Sequence, residues 1–433
     1  MNNPFHDHNE GPLPHDKFGC RTDLLQDIEA LTWERRLPSE TFFWIIEGIR
    51  GFGKTSFANW CVETSRNSKP EAQVLVCNLD LLKNFPSGKE FTATTALSKC
   101  EEIIEREILR RKSGFAKGLA YLKNEVSHVA IDPKTELVPF KDKRPDDLHI
   151  SYEDFFDSLI KKVGKSNIAA VVFIFDEVST AKNRVAYGTG GTSPVSIFCS
   201  EFSQCLRQHQ FPKTGPNFGI ILLGLPGLVD SIAHDVGPIR HLRRDPIRLE
   251  PFERSDLRLW IPKLAEQASC TLSPDFIEEL YRYSGGIPDL VQAYGTGAWK
   301  SAIKRNAAQI QLTGADIHPY GRIHHTLIDS KATAAKKSFL GDLSAKLGAA
   351  ETATLKEIGR AEHKAPAQQS LEQWIAFSHA RLTKAEWNRD AAKRALDILV
   401  DCGIIILDGT KSASSSGQRY SFRSEGIRLS FAR

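Results

Sequence analysis

Around residue 50 the chain has the residue types and the spacing to hold a phosphate: Gly48-x-x-x-x-Gly53-Lys54-Thr55. Glycines at 48, 51 and 53 let the backbone curl so that successive N–H groups converge on an anion at a helix N-terminus. Lys54 supplies a positive charge for the β- and γ-phosphates of a nucleotide, and the Thr55 hydroxyl is a hard oxygen ligand for Mg²⁺. The spacing meets the Walker A pattern without mismatch, so Gly48, Ile49, Arg50, Gly51, Phe52, Gly53, Lys54, Thr55 and Ser56 form the candidate nucleotide-binding loop. A second site ends the apolar run Ala169-Ala170-Val171-Val172-Phe173-Ile174-Phe175 with Asp176-Glu177, the Walker B arrangement. Asp176 is the candidate to hold Mg²⁺ through water, and Glu177 to polarise an attacking water. Together these residues have the means to bind ATP with Mg²⁺ and hydrolyse it.

Such chemistry needs strands that deliver each motif to one edge of a sheet. The apolar stretch Phe42–Glu47 reads as a buried strand before the loop, and Thr55 to Thr64 as the helix after it. The unbroken apolar run before Asp176 suits a strand covered on both faces in a parallel sheet, where ligands bind at the carboxyl ends of strands. Further strands are expected over Gln73–Asp80 and Phe218–Gly224, with helices over about 94–122, 152–163 and 195–210. This alternation predicts a doubly wound α/β core over 17–252. From about residue 252 the pattern becomes purely helical: Ser255 is expected to cap one helix to about 268, Ser273 with Pro274 to open a second to Tyr283, and a third to run from Asp289 to about 307. This is a small helical domain, 253–308. A polar linker (309–345) leads to a module over 346–433, with helices over about 346–362, 368–380 and 388–400, then a hairpin formed by Gly403–Gly409 and Gln418–Phe422. Three helices and a hairpin make the pattern of a winged helix.

Composition narrows the classes. A chain of 433 residues with 25% charged and 41% hydrophobic residues is ordinary for a globular protein of two or three domains. No apolar run reaches the roughly 18 residues of a membrane span, and the first residues lack the basic and apolar regions of a signal peptide, so a cytoplasmic protein without membrane contact is expected. The eight cysteines are scattered without a C-x-x-C pair and read as reduced thiols. Residues 1–16, polar with three histidines, read as a flexible tail. The net charge is only +4, but Lys331 to Arg433 holds 17 Lys and Arg against 11 Asp and Glu. The basic excess sits in the C-terminal module, where Arg389, Lys393 and Arg394 on the third helix and Lys411 and Arg419 on the hairpin are candidate nucleic-acid contacts. The insertion over 113–149 and the glycine-rich loop 183–194 have no assigned role.

With these motifs in hand, the chain resembles the bacterial AAA+ ATP-binding proteins related to origin-recognition (Orc-like) P-loop ATPases, over residues from about 17 to 430. Phe18-Gly19-Cys20-Arg21-Thr22-Asp23-Leu24-Leu25 is similar to that family's N-terminal Phe-x-Gly-Arg box, with Gly19 and Cys20 transposed. The stretch Gly285-Gly286-Ile287-Pro288-Asp289-Leu290-Val291-Gln292-Ala293-Tyr294-Gly295, with Ala298-Trp299, is similar to its lid segment. The resemblance implies a parallel-sheet AAA+ core, a helical lid, a C-terminal winged helix, ATP and Mg²⁺ as cofactors, and a possible homo-oligomer or protein partner. It places an arginine finger among Arg240, Arg243 and Arg244, and Pro288 beside the nucleotide. Two departures stand out: Gly224-Leu225-Pro226-Gly227 replaces a polar sensor, and Pro288-Asp289 stands where a lid arginine is usual, which implies slow turnover. The implied function is an ATP-hydrolysing switch acting on duplex DNA, of initiator or transposition-regulator type. The alternative is a signalling or defence ATPase whose winged helix binds protein and whose assembly is nucleotide-driven.

Overall fold

The computed structural model describes residues 3–5, 42–49, 51–68, 73–86, 91–124, 151–163, 168–184, 192–208, 216–236, 246–305, 310–317, 369–370, 400, 405–408 and 419–422. Five strands form one sheet in the order β2-β3-β4-β1-β5: β1 (Phe42–Glu47), β2 (Gln73–Asp80), β3 (Ile168–Asp176), β4 (Asn217–Gly224) and β5 (Ile247–Arg248). The β2–β3, β3–β4 and β1–β5 ladders are parallel. The β2–β3 register ends on Asp80 opposite Asp176. Parallel neighbours need crossover connections, which explains the alternation of apolar strand and amphipathic helix. By its contacts the chain divides into two compact units, Thr32–Ile45 with Ser65–Pro246, and Met1–Leu31 and Ile46–Thr64 with Ile247–Arg433.

In the first unit β2, β3 and β4 are joined by α2 (Leu81–Asn84), α3 (Ala93–Asn124), α4 (Tyr152–Val163), α5 (Val178–Arg184) and α6 (Pro194–Gln208), and β4 is followed by α7 (Leu228–Val236). Helix α4 buries Phe155, Phe156, Leu159 and Val163 and leaves Glu153, Asp157 and Lys161 exposed, the stripe expected of a helix on a sheet. Its Phe155 and Phe156 rings meet Phe173 from β3 and Phe202 from α6, and Tyr152 meets Phe198; Phe202 lies about 5 Å from both Phe173 and Phe175 of the strand. Edge-on and tilted packing of this kind adds to the apolar burial that holds β3 rigid. The Walker B acids therefore end a strand fixed by aromatic contacts.

The second unit contains α1 (Lys54–Ser68) as far as Thr64, with α8 (Arg254–Gln267), α9 (Phe276–Ser284) and α10 (Pro288–Arg305). Helix α10 buries Val291, Tyr294, Ala298, Trp299 and Ala302 among Leu257, Trp260, Ile261, Phe276 and Leu280 of its neighbours. Four details differ from the sequence expectations. Ser255 does not cap α8: Asp256 accepts from the Glu253 N–H at 2.8 Å and the helix begins at Arg254. Pro274 lies in a turn before α9, with Ser273 bonded to Asp275. The region is not purely helical, because β6 (Thr271–Leu272) and β7 (Gln311–Leu312) pair in parallel. Nor is all of 1–16 a loose tail: Phe5 is 1% exposed in the core formed with α8, α9 and α10.

Most of the C-terminal module lies outside the described residues. What is described is a three-stranded sheet, β8 (Gln369–Ser370), β10 (Arg419–Phe422) and β9 (Ile405–Asp408), with β10 antiparallel to both partners. The expected hairpin is present as the β9–β10 pair. Residues 369–370, expected in a helix, instead form the third strand, because Ser370 and Gln369 take their places opposite Arg419 and Tyr420.

Candidate nucleotide site

The phosphate loop begins where β1 ends. Gly51 and Gly53 adopt φ of +88° and +81°, backbone that only glycine takes without strain, and they turn the chain back into α1. Phe52 and Ile49 anchor the loop: both are buried, and the Phe52 N–H donates to the Ile49 carbonyl at 3.1 Å. The Phe57 N–H donates to the Gly53 carbonyl at 2.8 Å, which starts α1 with Lys54 as its first residue. The Lys54 ammonium folds back into the loop and donates to the Gly48 carbonyl at 2.7 Å, in a buried position. An ammonium held over a helix N-terminus by a neutral carbonyl can exchange that partner for a phosphate oxygen, which forms the stronger, charge-assisted bond. Thr55 and Ser56 are half-buried on the first turn. Of the nine loop positions named from sequence, Arg50 lies outside the described residues.

The start of α10 meets this loop. The Asp289 N–H donates to the Gly51 carbonyl at 3.1 Å, and a Cβ on Gly53 would lie 3.9 Å from the Pro288 Cβ. Pro288, named from sequence, is thus placed against the loop, and the backbone contact of Asp289 is one that its side-chain chemistry gave no reason to expect. A glycine turn sets this approach: Gly285 caps α9 at φ +60°, and Gly286, at φ +75°, accepts from the Phe252 N–H at 2.8 Å. A Cβ on Gly286 would lie 2.0 Å from the Phe252 carbonyl oxygen, so no other residue fits. The two glycines of the Gly-Gly-Ile-Pro stretch follow from the positive φ at 285 and the close approach at 286.

At the end of β3, Asp176 is buried and its Oδ1 accepts from the Glu177 N–H at 2.7 Å. Glu177 has φ of +60°, a left-handed conformation costly for a side chain larger than Gly or Asn, and such strain gathers at functional sites. Its Oε2 accepts from the Thr180 hydroxyl at 2.8 Å, which fixes the carboxylate over α5. The same helix pins the loop after β4, where the Leu225 N–H donates to the Ser179 hydroxyl at 2.9 Å. A Cβ on Gly224 would come within 2.6 Å of Leu228 and 2.7 Å of Ser179. Glycine at 224 therefore has a packing cause.

Behind these acids lies a buried ion pair that sequence reasoning missed. The Lys182 ammonium on α5 meets the Asp235 carboxylate on α7 at 2.9 Å, and both side chains are under a tenth exposed. Lys182 also donates to the Ser231 carbonyl at 2.7 Å, and Ser196 donates to Asp235 at 2.7 Å. Burial alone would raise the Asp235 carboxyl, but the bonds from Ser196 and Lys182 and the lysine charge outweigh it and hold the group below its ordinary value. Nothing in the spacing of 182 and 235 announces this pair. The described cysteines are free and mostly buried, and burial pushes the Cys199 thiol up to about 12, so they are inert packing groups.

The remaining sequence candidates are not tested by the geometry. Arg240, Arg243, Arg244, Arg389, Lys393, Arg394 and Lys411 lie outside the described residues. Arg419 is in β10, with Asp408 and Ser370 as its register partners. No described helix is long and apolar enough to cross a membrane.

No protein-family model matches the chain, and no curated protein matches it in sequence. Solved structures do match. A Walker-type ATPase of Pyrococcus abyssi is similar at a TM-score of 0.56 and 16% identity, with 96% of each chain covered. The ORC2 protein of Aeropyrum pernix, solved with ADPNP and ADP, is similar at a TM-score of 0.59 and 14% identity, covering 98% of this chain and 95% of that one. At such identities the likeness is one of fold, and it extends over nearly the whole chain. The strand order, the glycine turn into α1 and these neighbours agree: the chain has the fold of the Orc-like, Walker-type P-loop ATPases.

Proposed function

We propose that the protein binds ATP with Mg²⁺ and hydrolyses it slowly, as a nucleotide-driven switch of the AAA+ type that acts on duplex DNA. The observation that carries the nucleotide reading is the loop itself: two glycines at positive φ, a helix N-terminus and the Lys54 ammonium bonded to a loop carbonyl. These donors suit a triphosphate, and the oxygens of Thr55 and Asp176 suit a hard divalent cation. Lys54 leaves the Gly48 carbonyl for the β- and γ-phosphate oxygens, and the loop N–H groups hold the β-phosphate. Glu177, oriented by Thr180, accepts a hydrogen bond from the attacking water and lines its oxygen up to bond to the γ-phosphorus as the bond from that phosphorus to the bridging oxygen of ADP breaks. Mg²⁺, when bound, neutralises charge on the transferring group. One of Arg240, Arg243 and Arg244 acts as a finger on a neighbouring subunit's site.

The DNA reading rests on the basic excess of residues 331–433 and on Arg389, Lys393, Arg394, Lys411 and Arg419. Its test is duplex binding across a salt series with ATP present, for the wild type and for a variant with these five residues changed to alanine. Each lost phosphate contact flattens the slope of log affinity against log salt by about 0.9. An unchanged slope, or no binding at low salt, transfers the reading to a protein-directed signalling ATPase. The finger is tested by mixing: an alanine variant of Arg240, Arg243 or Arg244 that binds ATP but does not turn over should recover activity with Lys54→Ala subunits.

A further inference from the structure

Phe5 is 1% exposed, although the first 16 residues around it are mostly polar. Its ring lies against the backbone of Gly295 on α10 so closely that a Cβ there would fall 2.2 Å from one ring carbon and 2.3 Å from the next. Phe276 of α9 stands with its ring centroid 6.3 Å away, and the ring joins the lid core. Gly295 is thus the floor of a notch that a benzyl group fills. The polar end is matched as well. Asn3 Oδ1 accepts from the Phe5 N–H at 3.0 Å, closing a turn around Pro4, while Asn3 Nδ2 donates to the Thr296 hydroxyl at 3.3 Å. A turn closed by its own asparagine carries its conformation with it, and Pro4 narrows the unbound states further.

We propose that this notch is a recognition site for an Asn-x-Phe turn, filled by residues 3–5 of the same chain and able to take the same turn from a second copy. Three contiguous residues hold all the described determinants, so the ligand is transferable as a short peptide. The 36 residues between Phe5 and Phe42 have a contour of up to about 120 Å, enough to reach another subunit. Neither the notch nor the turn that fills it involves nucleotide.

The test has two arms. A labelled peptide of residues 1–8 should bind saturably to a Phe5→Ala chain, whose notch is vacated, and at least tenfold more weakly to the wild type, whose own segment competes. Replacing Phe by Ala in the peptide should weaken binding roughly ten- to hundredfold, the cost of an unburied phenyl ring, and adding Gly295→Ala to the Phe5→Ala chain should abolish it. Failure of the peptide to bind a folded Phe5→Ala chain, or equal binding of the alanine peptide, overturns the site. The second arm keeps Phe5: full-length chains carrying Asn3→Cys are mixed with chains carrying Thr296→Cys and oxidised. A disulfide-linked dimer joined through the two introduced thiols supports exchange between copies, and its absence on peptide mapping overturns it.

Discussion

The backbone N–H of Asp289 donates to the carbonyl of Gly51 at 3.1 Å, so the first turn of α10 is tied to the phosphate loop at the residue where that loop takes φ of +88°. A Cβ on Gly51 would lie 3.1 Å from the Asp289 Cβ, so a side chain there would crowd α10 as well as take an unfavourable backbone conformation. Helix α10 also carries Gly295 two turns further on, which places the notch for Phe5 and the anchor of the loop on one rigid rod about 9 Å apart along its axis.

Gly286→Ala is expected to destabilise the protein more than Gly51→Ala. At 286 the added methyl meets a backbone carbonyl oxygen at 2.0 Å and the φ is +75°, so the Phe252 bond must break. A loss of about 3 kcal/mol or more is expected there, against about 1–2 kcal/mol at Gly51. Chemical denaturation of both variants checks the order, and equal midpoints would mean that the turn yields easily.

Lys54→Ala should weaken ATP binding roughly ten- to hundredfold, the worth of a charge-assisted bond of about 1.5–3 kcal/mol. The melting temperature without nucleotide should change little, since the bond lost, to Gly48, is internal to the loop. Titration with a fluorescent ATP analogue reads the first quantity. Unaltered affinity would remove the loop as the nucleotide site.

Glu177→Gln should keep ATP affinity within about threefold and lower turnover by about 10²–10⁴, the range of general-base contributions. Thr180→Val, which removes the hydroxyl bonded to Glu177 Oε2 at 2.8 Å, should lower turnover by a smaller factor with the same affinity. Single-turnover phosphate release separates the two effects. Full activity in Glu177→Gln would place the catalytic acid elsewhere.

Lys182→Met leaves Asp235 buried without its cation and should cost about 3–5 kcal/mol, whereas Lys182→Met with Asp235→Leu should recover most of it. Urea denaturation of the two variants reads this coupling, and additive losses would count against a buried pair.

The same pair sets an acid limit. The Asp235 carboxyl is held below its ordinary value in the folded state, so its stabilisation is complete above the unfolded value of about 3.9 and is lost as pH falls through the lower folded value. Asp316 behaves alike: burial would raise it, but Arg305 and the Thr313 N–H and hydroxyl, which donate to it, bring it down. Stability measured from pH 7 downward should be flat to about pH 5 and then fall, and the fall should be shallower in the Lys182→Met, Asp235→Leu variant.

The sequence alone carried the parallel α/β sheet and the strand–turn–helix of the phosphate loop, because both are written in contiguous residues. Strand β3 announces itself by an unbroken apolar run, and the loop by glycines whose φ values the turn itself demands. The same holds for α4, whose predicted bounds match those observed, since its stripe is local. Tertiary structure alone decided what depends on partners distant in the chain. Phe5 looked like part of a polar tail because its notch lies 290 residues away on α10, and the Lys182–Asp235 pair joins two helices that local periodicity does not connect. The parallel β6–β7 pair was illegible because two-residue strands have no period to read; it shows in the register of Thr271 and Leu272 with Gln311 and Leu312, flanked by bonds from the Thr271 and Ser273 N–H groups to the Ile310 and Leu312 carbonyls. Gly224 shows the same division: its identity was plain from the sequence, but the reason for it, Leu228 and Ser179 standing where a side chain would go, exists only once α5 and α7 are packed.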